Sequence, residues 1–328
     1  MEIAAEYGLF LAKTLTLVLA FAAVVAVIAA AARKGSTGAG EQLKVDHLNK
    51  RVERLGDALR HGMDGKGLKK ELKARKKARK AEGKAQDRQR LFLIDFKGDI
   101  RASATASLRQ EISAILNVAR DDDEVLLRLE NPGGLVHEHG LAASQLVRLR
   151  QRGIRLTVAV DKVAASGGYL MACVADRIVA APFAIVGSIG VLAQIPNFHR
   201  FLKERGVDFE QITAGRFKRT LTLFGENTEE GRHKLKEELE DVHALFRGQI
   251  AEYRPDVDME QVATGEHWYA IRAHELNLVD ELITSDDLLL EAMQKKDVYW
   301  VRYARKKTFP ERLMSGVENT LGRLVKTA

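Results

Sequence analysis

The segment Lys162–Val191 reads KVAASGGYLMACVADRIVAAPFAIVGSIGV. One serine, Ser166, sits between small residues and two glycines, and an apolar, helix-compatible run, Tyr169 to Ala175, follows at once. A strand-like IVAA, Ile178 to Ala181, then precedes the glycine-rich VGSIG around Ser188. A small–Ser–Gly–Gly turn that opens a helix puts a hydroxyl on a sharp bend where free N–H groups converge. Nucleophilic acyl transfer needs that arrangement. The same pattern also describes a tight strand-to-helix turn with no chemistry.

Outward from this turn the chain alternates strands and helices. LFLIDFKGDI from Leu91 reads as a buried first strand, and Leu108, Ile112, Ile115, Leu116 and Ala119 mark one face of a helix. Val125–Leu129 is a second strand ending in Asn131-Pro132-Gly133-Gly134, Leu141–Arg150 is helical, and Ile154–Val160 is a third strand leading into the serine turn. Short connections between alternating elements predict an α/β fold with largely parallel strands. Downstream, Asn197–Arg205 reads as a short helix, Asp208–Thr213 as a strand, and Thr228 as the cap of a long helix with Leu235, Leu239, Val242, Phe246, Ile250 and Tyr253 at helical spacing. Gly265–Trp268 reads as a turn, and the basic stretch Tyr303–Ala328 as a tail.

The chain has 328 residues, a net charge of +7 and a single cysteine, Cys173, so no disulfide can form within it. Thr14–Ala32 is an uncharged apolar run about one bilayer thick as a helix. Lys13 precedes it and Arg33–Lys34 follow it, and Glu2 and Glu6 do not suit a cleavable leader, so a retained membrane anchor is expected. Charge bias places the body on the cytoplasmic side. A Gly/Ser/Thr linker, Gly35–Gly40, leads to an amphipathic helix over Gln42–Leu59. Lys66–Arg90 is a dense Lys/Arg/Ala block, read either as a solvated helix or linker or as a contact for anionic lipid headgroups. No aromatics interleave its charges, so nucleic acid is not the expected partner. The predicted organisation is an anchor at 1–34, a linker at 35–90, an α/β domain at 91–295 and a tail at 296–328.

No metal or cofactor pattern stands out. His137-Glu138-His139 lacks the i, i+4 spacing of paired ligands, and neither GSIG nor NPGG is a phosphate loop. His137, His139 and His199 read as surface histidines, which leaves a lysine as the base for Ser166. A lysine accepts a proton only when neutral, and burial among apolar groups drives it there. Lys218, in Arg216-Phe217-Lys218-Arg219-Thr220-Leu221, has Phe217, Leu221 and Leu223 nearby to exclude water. By composition alone it reads equally as a solvated loop lysine.

The ordered motifs NPGG, AASGGYLMACVAD, APFAIVGSIGV and TAGRFKRTLTLFGENTEEGR resemble the signal peptide peptidase A family of serine proteases, its SohB branch above all, over about Leu91–Leu290. The resemblance implies a ClpP/crotonase-type α/β superhelix and a Ser–Lys dyad. In it Ser166 is the nucleophile, Lys218 the general base and Ser188 the serine that orients the lysine. The backbone N–H groups of Gly133, with Gly134 adjacent, and Gly167 form the oxyanion hole. It also implies an inner-membrane, homo-oligomeric endopeptidase that needs no cofactor and acts on signal-peptide remnants or unfolded exported segments, which argues for the periplasmic side. The dyad could then be completed across a subunit boundary. The contrasting reading is a catalytically idle ring scaffold of the same fold.

Overall fold

The computed structural model describes residues 13–16, 18–19, 42–63 and 88–304. The chain divides into two compact units, of which Val45–Arg302 is the larger. The smaller, 1–44 with 303–328, is described only at helical residues 13–16 and 18–19 and at 42–44 and 303–304. No helix among the described residues is long and apolar enough to cross a membrane. Most of the expected anchor, the Gly35–Gly40 linker, most of the basic block and the tail beyond 304 lie outside the described residues.

The chain enters through β1 (Gln42–His47) and α1 (Leu48–Met63). The helix expected over Gln42–Leu59 thus begins later, because Leu43 and Val45 belong to a strand. The repeat of strand and helix follows as β2 (Arg90–Lys97), α2 (Thr105–Val118), β3 (Glu124–Glu130), α3 (Val136–Gln151) and β4 (Arg155–Val160). Next come β5 (Val163–Ala165), α4 (Gly167–Ala172), β6 (Arg177–Ala180), β7 (Ile185–Gly187) and α5 (His199–Lys203). The last part is α6 (Glu229–Tyr253), α7 (Met259–Val262), β8 (His267–Tyr269), α8 (Ala270–Glu275), β9 (Glu281–Leu282), α9 (Ser285–Lys295) and β10 (Asp297–Ala304).

Seven strands form one sheet in the order β1-β10-β2-β3-β4-β6-β9, and β10 through β9 pair in parallel. Its inner strands are near-continuous apolar runs because both faces are covered. On one face lies the large core, to which α2 contributes Leu108, Ile112 and Ile115, and α3 contributes Ala142, Leu146 and Leu149. On the other, Leu93, Leu126 and Val179 pack with Leu48 of α1 and Leu289 of α9. The sheet runs past the expected boundary at 295, since Asp297–Trp300 of β10 pair with Arg90–Leu93. A second sheet, β5-β7-β8, stands beside the first and joins it where Asn131, just beyond β3, bridges to Ala164.

Two other expectations change. Asp208–Thr213 is irregular and exposed, because no strand among the described residues lies beside it to take its backbone hydrogen bonds. His267–Tyr269 is a strand rather than part of a turn, antiparallel to β7. Thr228 does cap α6, its Oγ1 accepting the Gly231 N–H at 3.1 Å.

Asp280 fastens the far edge of the sheet. Its carboxylate accepts the Ile178 N–H at 2.6 Å and both Arg254 Nη groups at 2.9 and 2.5 Å. Burial pushes this carboxyl up, but the bonds from Arg254 and Ile178 outweigh burial and hold it below its ordinary value. A lowered folded pKa means stability that is complete above the unfolded value of about 3.9 and is lost as pH falls through the folded value. Asp280→Asn is therefore expected to cost about 2 kcal/mol at pH 7, read by urea unfolding, with the gap to wild type closing only below about pH 4. An equal gap at pH 7 and pH 2.5 would show that the charge is not what matters.

Candidate active site

Ser166 stands between β5 and α4 with φ 51° and ψ −120°. A serine at positive φ is strained by about 1–3 kcal/mol and persists only where its surroundings hold it. The restraints here are backbone bonds on both sides. Ser166 N–H donates to Gly187 O at 2.7 Å, and Ser166 O accepts the Leu170 N–H at 3.0 Å. β5 pairs in parallel with β7, Ala165 opposite Gly187, so Ser166 and Ser188 are the next residues on two strands about 4.8 Å apart. Ser188 repeats the geometry with φ 52°, and its N–H donates to Glu266 O at 2.6 Å.

The NPGG turn after β3 closes over this bend. A Cβ on Gly133 would lie 2.8 Å from Ser166 Cβ and 3.0 Å from Gly167 N, so only glycine lets the two backbones approach this closely. Gly133 N–H, however, donates to Asn131 Oδ1 at 2.9 Å. The amide expected to face an oxyanion is thus engaged inside an Asx turn. The neighbouring Gly134 N–H makes no backbone hydrogen bond among the described residues. Gly167 N–H lies in the first turn of α4, where amides have no partner within the helix.

Below the bend lies a buried polar pair that the sequence reading missed. Asn131 and His139 are both fully buried. His139 Nε2 lies 3.2 Å from Asn131 Oδ1 and Nδ1 lies 3.0 Å from Leu135 O, while Asn131 Nδ2 donates to Met171 Sδ at 3.3 Å. A Cβ on Gly167 would strike the His139 ring at 2.5 Å, and one on Gly168 would strike Asn131 O at 2.1 Å. The expectation of a surface His139 is therefore corrected: α3 turns it inward beneath the serine. His137 remains exposed and His199 is half-buried. The available signal was the i, i+3, i+4 spacing of His139 with Ala142 and Ala143 on the inner face of α3.

Two cavities open at Ser166. One, of about 270 Å³, is walled by apolar side chains including Val136, Leu170, Val242, Leu245 and Phe246. The other, of about 870 Å³, holds Ser166, Ser188, Gly133 and Gly134 together with Lys236 and His243 of α6. Lys218 lines neither. It is exposed, in an irregular segment between α5 and α6, its N–H bonded to Gly215 O at 3.2 Å. The single chain thus brings Ser166, Ser188 and the glycine turn together, without Lys218. No group of three or more His, Cys, Asp or Glu that could hold a metal occurs among the described residues.

Residues 2–146 match the N-terminal region of peptidase family S49, and residues 148–299 match peptidase family S49 itself. The chain is 52% identical over 320 residues to a probable protease SohB of Haemophilus influenzae, covering 94% of this chain and 91% of that one. A probable protease SohB of Buchnera aphidicola subsp. Acyrthosiphon pisum is 55% identical across 72% of this chain and 70% of its own. Among solved structures, a mutant of the membrane-bound stomatin-specific protease 1510-N in complex with a substrate peptide covers 71% of this chain and 100% of its own, at 12% identity and a TM-score of 0.45. With family models matching residues 2–146 and 148–299 and a relative 52% identical over 94% of the chain, the chain belongs to peptidase family S49, in its SohB-like branch, and is a serine-type endopeptidase.

Proposed function

We propose that Ser166 is the nucleophile of a Ser–Lys dyad with Lys218 as general base, that Ser188 orients the lysine, and that Gly167 and Gly134 supply the oxyanion donors. Gly134 here takes the part expected of Gly133. The observation that carries this reading is the strained Ser166 bend at the mouth of an apolar cavity, with Ser188 level with it on the next strand. Ser166 Oγ attacks the scissile carbonyl while its proton passes to the neutral amine of Lys218. The amine then returns the proton to the leaving nitrogen, and water releases the acyl group by the same route.

Lysine serves as a base only when water is stripped from it. Lys218 is exposed in the single chain, and its segment presents exposed Val207, Phe209, Ile212 and Phe217. We infer that a second copy covers this segment and that the dyad is completed at a subunit boundary, in a homo-oligomer of ClpP/crotonase-type bodies. The uncharged run Thr14–Ala32 is taken as the single-pass anchor in an inner membrane, and extended peptides, such as signal-peptide remnants or unfolded exported segments, as substrates.

Ser166→Ala and Lys218→Ala are each expected to lower peptide cleavage at least about 1,000-fold while leaving unfolding curves unchanged. Mixed assemblies of the two variants recover activity if the dyad spans two copies. Cleavage by Lys218→Ala at the wild-type rate refutes the base. A fluorophosphonate probe should label wild type and not Ser166→Ala, whereas an idle scaffold stays unlabelled.

The apolar cavity beside Ser166 suits one apolar substrate side chain next to the scissile bond. Gly140 lines it, and a Cβ there meets nothing within 4 Å. Gly140→Leu is expected to fill the cavity without strain and to shift kcat/KM from leucine toward alanine at that position by about 10-fold or more. An unchanged preference in a peptide-library assay would place the specificity pocket elsewhere.

A further inference from the structure

The body covers the apolar stripe of helix α1 only at its start. Its first turn is fastened to the body: Asn49 Nδ2 donates to the carbonyls of Met293 (3.1 Å) and Lys296 (2.8 Å), Asn49 Oδ1 accepts the Val298 N–H (2.8 Å), and Leu48 is buried. Beyond that turn the acidic Glu53 and Asp57 are half-buried, whereas Val52, Leu55, Leu59 and Met63 are 36%, 65%, 67% and 76% exposed. At the helical repeat these four fall within an arc of roughly 80°. Leu48 lies on this same arc, so the stripe that the body buries in the first turn continues uncovered along a helix held firmly at its start.

The charges around the stripe indicate what covers it. α1 carries Lys50, Arg51, Arg54 and Arg60 against Glu53 and Asp57, with Arg51 and Arg60 flanking the apolar arc. By sequence, residues 64–87 add ten Lys and Arg against four Asp and Glu. An apolar stripe edged by arginines and followed by a basic stretch matches the layered chemistry of a bilayer surface, acyl chains beneath anionic headgroups. A second copy of the helix fits less well. Like charges would meet, and the next seam position after Val52, Leu55 and Leu59 is Gly62, which has no side chain to bury.

We propose that the Val52–Leu55–Leu59–Met63 face of α1 lies in the interfacial layer of a membrane rich in anionic lipid, a contact additional to the anchor. It rests on the reading of this chain as membrane-anchored. Through Asn49 the contact is rigid with β10 and α9, so it fixes how the peptidase body stands on the bilayer.

Site-specific fluorescence on the full chain tests this. Cys173 is fully buried and its thiol is pushed up to about 12 by burial, so an added cysteine is the reactive one among the described residues. Leu59→Cys and Lys50→Cys, on opposite sides of the helix, are labelled with an environment-sensitive dye. The protein is then reconstituted into phosphatidylcholine vesicles with and without phosphatidylglycerol. The expected result is a blue shift and bromolipid quenching at position 59 only, stronger with phosphatidylglycerol. Flotation with the vesicles but no quenching at 59 overturns the proposal and leaves the anchor intact. So does quenching of 59 by a spin label on a second copy, and equal quenching without phosphatidylglycerol removes the role of the charges. Failure to float overturns the anchor reading and the proposal with it.

Discussion

The geometry of this protein depends on Asn131. Its backbone joins the two sheets, accepting the Ala165 N–H at 3.0 Å and donating to Val163 O at 2.8 Å. Its side chain holds the Gly133 amide on one side and meets His139 on the other, in a fully buried setting where an unmade hydrogen bond costs about 1–3 kcal/mol. That explains why Gly167 and Gly168 follow the serine: a Cβ on either would collide with His139 or with Asn131 itself.

Ser166 and Ser188 both hold positive φ, which an isolated chain would abandon. Each is kept there by an amide bond to a neighbouring segment, Ser166 to Gly187 O of β7 and Ser188 to Glu266 O just before β8. The strain is local while its restraint is spread over β5, β7 and β8. A hydroxyl presented this way cannot relax into its own helix, so it remains available to a carbonyl carbon above it.

The single chain holds a strained serine bend beside an apolar cavity, with Lys218 elsewhere and exposed. Under the proposed dyad the lysine reaches the serine only at a boundary with a second copy, and a lone copy is expected to be inactive. On this reading the irregular segment between α5 and α6 is irregular for a reason. It exposes Phe209 and Ile212 and pairs with no strand among the described residues.

The sequence alone determined the α/β alternation, the site of the sharp serine bend and the capped helix at Thr228. Each is written in short-range terms: a two- or 3.6-residue period, small residues around a serine, a threonine three places before a glycine amide. The motif order carried the family as well. Tertiary structure decided the rest. That β10 extends the sheet depends on β2, more than two hundred residues away; that His139 is buried depends on what α3 packs against; and that Gly133 spends its amide on Asn131 depends on how one turn folds over another. The stripe of α1 has the same amphipathic pattern as a core helix, and periodicity reports that a face is apolar without reporting how much of it the body covers. Only the tertiary structure shows that the cover ends after Leu48.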